Sequence, residues 1–180
     1  TSLTFPGFDI DLGIFYYPIA IVVITYMINC ANLSDGIDGL CGSIALIISV
    51  FVIAVTGFST SLGLFECALV GGLVAFLIFN FHPAKIFMGD CGSLFLGTAL
   101  VVAVSDLDMN WLILTAGLIY LIEGLSVIIQ VVSFKLTGKR VFRMAPIHHH
   151  FEKCGWSETR VVTVFSIIEA FCCLIALAAM

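Results

Sequence analysis

Six long apolar runs, at about residues 13–31, 40–58, 64–81, 91–105, 111–134 and 160–180, constrain this chain more than any other feature. A hydrocarbon core of about 30 Å takes about 20 apolar residues of helix to cross. The runs are 15 to 24 residues long, which suits spanning helices, the fourth being short. In lipid the backbone finds no water and must satisfy its own hydrogen bonds, as a helix does. The β-branched run Ile21–Val22–Val23–Ile24 does not argue for strands, because the alternating segments of about ten residues that mark a membrane barrel do not recur. Gly71, Gly72 and Gly117, inside the runs, are the small residues that let membrane helices approach closely. The expected class is all-α: a polytopic transmembrane bundle of about six spans, one transmembrane domain over residues 1–180. Only 11% of the residues are charged, against about 25% in soluble domains. A soluble globular domain, a disordered chain and a basic nucleic-acid binder are excluded.

The few charges are sharply sorted. The connections 1–12, 59–63 and 106–110 carry Asp9, Asp11, Asp106 and Asp108 and no Lys or Arg, with Glu66 just inside the third run. The connections at about 32–39, 82–90 and 135–159, with Arg160 at the edge, hold Lys85, Lys135, Lys139, Arg140, Arg143, Lys153 and Arg160, which is every basic residue in the chain. By the positive-inside rule the second set is cytoplasmic, and both ends of the chain lie outside. The first residue is Thr1, in a polar outer segment without the charged start of a signal peptide. The chain is therefore expected to be a fragment of a longer protein, cut between two spans. None of the seven cysteines forms a CxxC pair, and most lie in apolar runs, as small buried thiols do.

Three of the inner loops carry polar chemistry. The first reads Asn32–Leu33–Ser34–Asp35–Gly36–Ile37–Asp38–Gly39, two carboxylates and two glycines at a membrane boundary. It reads either as a helix cap with a glycine turn or as a functional pair of acids, whose cost beside lipid headgroups favours function. The second runs from Asn80 through His82, Pro83, Lys85, Phe87 and Gly89 to Asp90. Pro83 ends the incoming helix, and Asp90 at the start of the next span suits a hard cation such as Mg²⁺. Phe87 is either an interfacial anchor or a platform for a planar base. Lys85 is either a phosphate partner or a positive-inside charge. The third contains His148, His149, His150 and Glu152. Zinc-binding histidines on a helix sit at i and i+4, whereas adjacent ones diverge, so phosphate binding or proton sharing suits the triplet better than zinc. In the fifth run Glu123, Ser126 and Gln130 share a helix face that is expected to look into the bundle. Glu169, in the last run, has no evident partner, and Trp111 and Trp156 sit at run edges as interfacial anchors do. Together the loops offer acids for a metal, cations for phosphates and an aromatic for a base, which is what phosphoryl transfer between a lipid and a soluble phosphorylated partner needs.

Three strings carry a family resemblance: Asn32–Leu40 (NLSDGIDGL), Asn80–Gly97 (NFHPAKIFMGDCGSLFLG) and Met144–Glu158 (MAPIHHHFEKCGWSE). The first two resemble the polyprenyl-phosphate N-acetylhexosamine-1-phosphate transferase family. The third is similar to its branch of phospho-N-acetylmuramoyl-pentapeptide-transferases. The resemblance extends over nearly the whole chain, including Glu123–Lys135. It implies transfer of phospho-MurNAc-pentapeptide from UDP-MurNAc-pentapeptide to undecaprenyl phosphate, giving lipid I and UMP, with Mg²⁺ as cofactor and the site facing the cytoplasm of a bacterial inner membrane. It implies that Asp90 holds the metal and acts in catalysis with His149 and His150. It places Asn32, Asp35, Gly36, Asp38, Asn80, Lys85, Phe87, Gln130 and His148 at the substrate, with Phe87 stacked on uracil. Ser34 and Cys91 stand where relatives often carry Thr. The family's paired aspartates are absent, since no Asp–Asp pair occurs in this chain, so the 180 residues alone are expected to be inactive. Direct displacement and a covalent aspartyl route both remain open, as does a homodimer. Other readings are a relative that uses UDP-GlcNAc, a proton-coupled transporter or channel, and a membrane zinc protein.

Overall fold

The structure, a computed structural model, describes the backbone of residues 2–5 and 8–180 and the side chains from residue 10 onward. Thr1, Pro6 and Gly7 of the expected outer segment, and the side chain of Asp9, lie outside the described residues. That segment is a hairpin rather than a plain loop: β1 (Ser2–Phe5) pairs antiparallel with β2 (Phe8–Asp11). Its register sets Leu3 opposite Ile10 and Thr4 opposite Asp9. This period-2 sorting of apolar and polar positions is too short to compete with the helical runs that dominate the chain.

Everything after the hairpin and a 3₁₀ turn at Gly13–Phe15 is helical or loop, as the expected all-α class requires. The helices are α1 (Tyr16–Leu33), α2 (Leu40–Thr56), α3 (Ser61–Asn80), α4 (Gly89–Asp106), α5 (Leu112–Thr115), α6 (Leu118–Thr137), α7 (Ile147–Lys153) and α8 (Glu158–Ala178). Five helical stretches are long and apolar enough to cross a membrane: residues 13–33 with α1, and α3, α4, α6 and α8. The protein is an all-α polytopic membrane protein. The second run yields a shorter helix, 17 residues, or about 26 Å at 1.5 Å per residue. Its shortness is matched by enclosure: α2 packs on α3, α8 and α4, and Leu40, Cys41, Ile44, Ile48, Phe51 and Val52 are all buried. By contrast α1 packs on α4 and α6 and turns Ile21, Val22 and Ile24 outward, an apolar face suited to lipid. One close seam is α1 against α4. A Cβ on Gly97 would stand 2.9 Å from the Ile28 Cα and 2.9 Å from the Ala31 Cβ, so glycine sets how closely these helices lie.

The fifth run departs most from expectation. It is not one helix over 111–134: α5 stops at Thr115, Ala116 and Gly117 break the helix, and α6 runs on to Thr137. The break leaves the first N–H groups of α6 without intrahelical acceptors. Glu169 of α8, fully buried, supplies one, its Oε2 accepting from the Ile119 N–H at 3.0 Å. Glu169 thus has a partner, and it is backbone. Glu66, also buried, lines a small cavity with Ser49 across the α2–α3 contact. Trp156 stacks beside Phe151 and carries the Arg160 guanidinium over its ring at 4.3 Å, a cation–π contact that ties α7 to α8.

The crossing order places the α1–α2, α3–α4 and α6–α8 connections at one end of the bundle. All seven basic residues gather toward that end, on α6's last turn, in these connections or at the start of α8.

Candidate active site at the loop end of the bundle

The three polar connections meet through a small number of side-chain bonds that range from buried to exposed. Asn32, in the last turn of α1, donates through Nδ2 to Asp90 Oδ1 at 3.0 Å and to Ser93 Oγ at 2.9 Å. Asp90 is in the first turn of α4, where the positive end of the helix dipole favours a carboxylate, and Ser93 opens the second turn. Ser93 in turn donates to the Gly89 carbonyl at 3.0 Å. Asp35 faces the same place. Half-burial and then the Asp90 charge push its carboxyl up to about 6, against the opposing pull of the Gly89 amide. Two carboxylates thus lie within electrostatic reach of each other, Asp35 half-buried and Asp90 exposed, with one oxygen of Asp90 already oriented by Asn32. That donor set, hard oxygen and net negative, fits a divalent cation such as Mg²⁺.

A second knot ties the loops beneath it. Asp38 Oδ2 accepts from the Ala84 N–H at 2.9 Å and lies 3.1 Å from His82 Nδ1, while the Asp38 N–H donates to Glu158 Oε2 at 3.2 Å. His82 Nδ1 is also 3.6 Å from Glu158 Oε2. Asp38, His82 and Glu158 therefore form a cluster of potential ligand atoms within 4.8 Å of one another, two from connections and Glu158 from the start of α8. Asn80 is buried and fully committed: Oδ1 accepts from the Gly39 N–H at 3.1 Å, and Nδ2 donates to the Ile86 carbonyl at 2.9 Å. Gly39 has φ of +83°, and a Cβ there would stand 2.9 Å from the Phe81 ring, so both conformation and space call for glycine.

The histidine triplet lies on α7, where successive residues point about 100° apart. The three rings take three different partners. His148, fully buried, meets Glu123 Oε2 through Nδ1 at 2.9 Å. His149 Nδ1 meets Glu152, one turn on. His150 Nδ1 accepts from the Arg143 N–H at 3.1 Å. Gln130 clamps the same loop: its Oε1 accepts from the Val141 and Phe142 N–H groups at 3.0 and 2.9 Å, and its Nε2 donates to the Phe142 carbonyl at 2.9 Å. Ser126 shares the face of Glu123 but donates to the Glu123 carbonyl, 2.7 Å away.

Of the sequence-expected residues, Asn32, Asp35 and Asp90 converge. Gly36 lies against His148 and His149. Lys85 and Phe87 stand exposed at the rim, Phe87 at 76% accessible. Beside Phe87, Phe76, Met88 and Phe95 line a shallow groove. Asp38, Asn80 and Gln130 spend their side chains on neighbouring loops. Sequence reasoning gave no role to Ser93, His82 or Glu158. For Glu158 a local signal exists, since Ser157 followed by Glu158 reads as a helix start, and Ser157 does cap α8. The partners of Ser93 and His82 are distant in sequence and leave no local signal.

Residues 1–108, which include the first two loops, match the family described as Glycosyl transferase family 4. The chain belongs to glycosyl transferase family 4. The similarity continues through the third loop in individual relatives. A phospho-N-acetylmuramoyl-pentapeptide-transferase of Clostridium botulinum (strain Eklund 17B / Type B) is 52% identical over 99% of this chain and 56% of its own length. Proteins of the same name from Clostridium perfringens (strain SM101 / Type A) and Clostridium beijerinckii are 50% and 52% identical, over 100% and 97% of the chain. The chain spans about half the length of the curated relatives it matches. As a family 4 chain it carries its converging acids in the part that the family match covers, and its histidine helix beyond it.

Proposed function

We propose that this chain forms part of a bacterial inner-membrane transferase. The enzyme moves phospho-MurNAc-pentapeptide from UDP-MurNAc-pentapeptide to undecaprenyl phosphate, yielding lipid I and UMP. The observation that carries the reading is the 52% identity to a phospho-N-acetylmuramoyl-pentapeptide-transferase over 99% of the chain, histidine helix included. The meeting of Asn32, Asp35 and Asp90 at the basic end of a membrane bundle supports it. By the positive-inside rule that end faces the cytoplasm, where nucleotide-linked sugars are found.

Asp90 and Asp35 would hold Mg²⁺, which when bound offsets the negative charge of the pyrophosphate. The side chains of this chain do the positioning. Asn32 fixes the direction of the Asp90 carboxylate. Phe87 presents an exposed ring on which uracil stacks, and Lys85 beside it meets phosphate oxygens. A phosphate oxygen of the lipid attacks the sugar-side phosphorus. A new P–O bond forms, the bond to the UMP oxygen breaks, and UMP leaves with the electron pair. The bilayer delivers the polyprenyl acceptor beside the apolar faces of the bundle. The family's paired aspartates belong to a part of the enzyme outside this chain, so the 180 residues alone are inactive in this reading.

Full-length protein, incubated with undecaprenyl phosphate and Mg²⁺, releases UMP from UDP-MurNAc-pentapeptide and not from UDP-GlcNAc. Preference for UDP-GlcNAc would move the protein to another branch of the family, and release from neither would end the proposal.

A further inference from the structure

Glu123 and His148 are the most deeply placed acid–base pair near the loops, both fully buried and 2.9 Å apart through Oε2 and Nδ1. Each keeps one atom without a hydrogen-bond partner among the described residues, Glu123 Oε1 and His148 Nε2. A carboxylate only accepts, so Nδ1 carries the proton of this bond. Nδ1 is thus the nitrogen that donates to Glu123, and Nε2 lies on the side of the ring turned away from it.

Nε2 faces Gly36. A Cβ on Gly36 would stand 2.5 Å from His148 Nε2 and 2.9 Å from Cε1, so the ring presses directly on the backbone of the first loop. The same position is 3.5 Å from His149 Nε2, and the His148 and His149 rings lie 4.1 Å apart between centroids. Gly36 follows Asp35, the acid that faces Asp90. One rigid line thus runs from α6 through Glu123, His148 and Gly36 to Asp35, with His149 packed alongside. It is the link between the histidine helix and the acids.

We propose that Glu123 is a positioning residue. By fixing the tautomer and tilt of His148 it makes that ring a buried strut, which sets the spacing between Asp35 and His149. His148 then acts through the backbone of Gly36 and does not touch substrate. The inference rests on the transferase reading for its kinetic readout, but its geometry is independent of it.

The test uses full-length protein carrying Glu123→Gln or Glu123→Leu. Gln keeps an acceptor oxygen for His148 Nδ1–H, so its kcat stays within about fivefold of wild type, whereas Leu lowers kcat about 100-fold with KM for the nucleotide sugar within about threefold. Near-normal kcat in Glu123→Leu overturns the proposal. So does a Gln variant as slow as the Leu variant, which would mean that charge rather than position is required. Should Glu123→Leu fail to fold, histidine-selective ¹⁵N spectra of the wild-type protein decide: a proton on His148 Nδ1 is expected, and an Nε2–H tautomer with a bare Nδ1 overturns the strut. Absence of UMP release by the wild type would count against the transferase reading alone, and the spectra would still judge the strut.

Discussion

Asn32 and Asp90 lie 58 positions apart, yet one amide oriented on one carboxylate organises the centre of the site. The asparagine looks interchangeable with any helix-end polar residue until its partner is seen. Both residues were legible as candidates because acids and amides at a membrane boundary are costly and grouped into motifs. Asn80 and Gln130 were legible as polar but not by role, because their partners are backbone groups of neighbouring loops, and such bonds leave no periodic trace. Asp38 drew attention as one of two acids; the structure separates it from Asp35 and commits it to His82, Ala84 and Glu158. At this scale the prediction concerns Asp90. In full-length protein Asp90→Asn keeps the Asn32 contact in shape but removes the charge, and Mg²⁺-dependent UMP release falls by about 100- to 1,000-fold or more. Activity close to wild type in that variant would remove Asp90 from the metal site.

The helices show how far periodicity and hydropathy carry. Runs two, three, four and six gave helices close to their expected bounds, since a chain in lipid has few alternatives. The fifth did not, and the reason is tertiary. The break at Ala116–Gly117 is tolerated because Glu169, on another helix and 50 positions away, receives the exposed Ile119 N–H. Nothing local announces that pairing. The short α7 went unforeseen for a related reason: two turns of helix, fixed by Glu123 and by the Phe151–Trp156 and Arg160–Trp156 contacts, are too brief to show an apolar period. Glu169→Ala leaves a buried N–H unpaired and destabilises the bundle by about 1–3 kcal/mol, whereas Glu169→Gln retains an acceptor oxygen and loses much less. Thermal unfolding of detergent-solubilised variants measures the difference, and equal losses would show that the bond does not support the break.

On the scale of the whole molecule, charge sorting is the property of the sequence that carries the topology reading. Seven basic residues at one end predict which side of the membrane each loop occupies, and the candidate site lies at that end. Single cysteines introduced at Lys85 and Asp108, with exposed Cys91 and Cys154 replaced by Ala, test the topology. A membrane-impermeant maleimide applied to intact cells labels position 108 and reaches position 85 only after permeabilisation; the reverse pattern would invert the protein. The central claim is tested most directly by the lipid product itself. Full-length protein given UDP-MurNAc-pentapeptide, undecaprenyl phosphate and Mg²⁺ should yield one undecaprenyl-pyrophosphoryl-MurNAc-pentapeptide, identified by mass in the organic extract, for each UMP released. Release of UMP with water as the acceptor, or consumption of the nucleotide sugar without any pyrophosphate-linked lipid, would contradict the account.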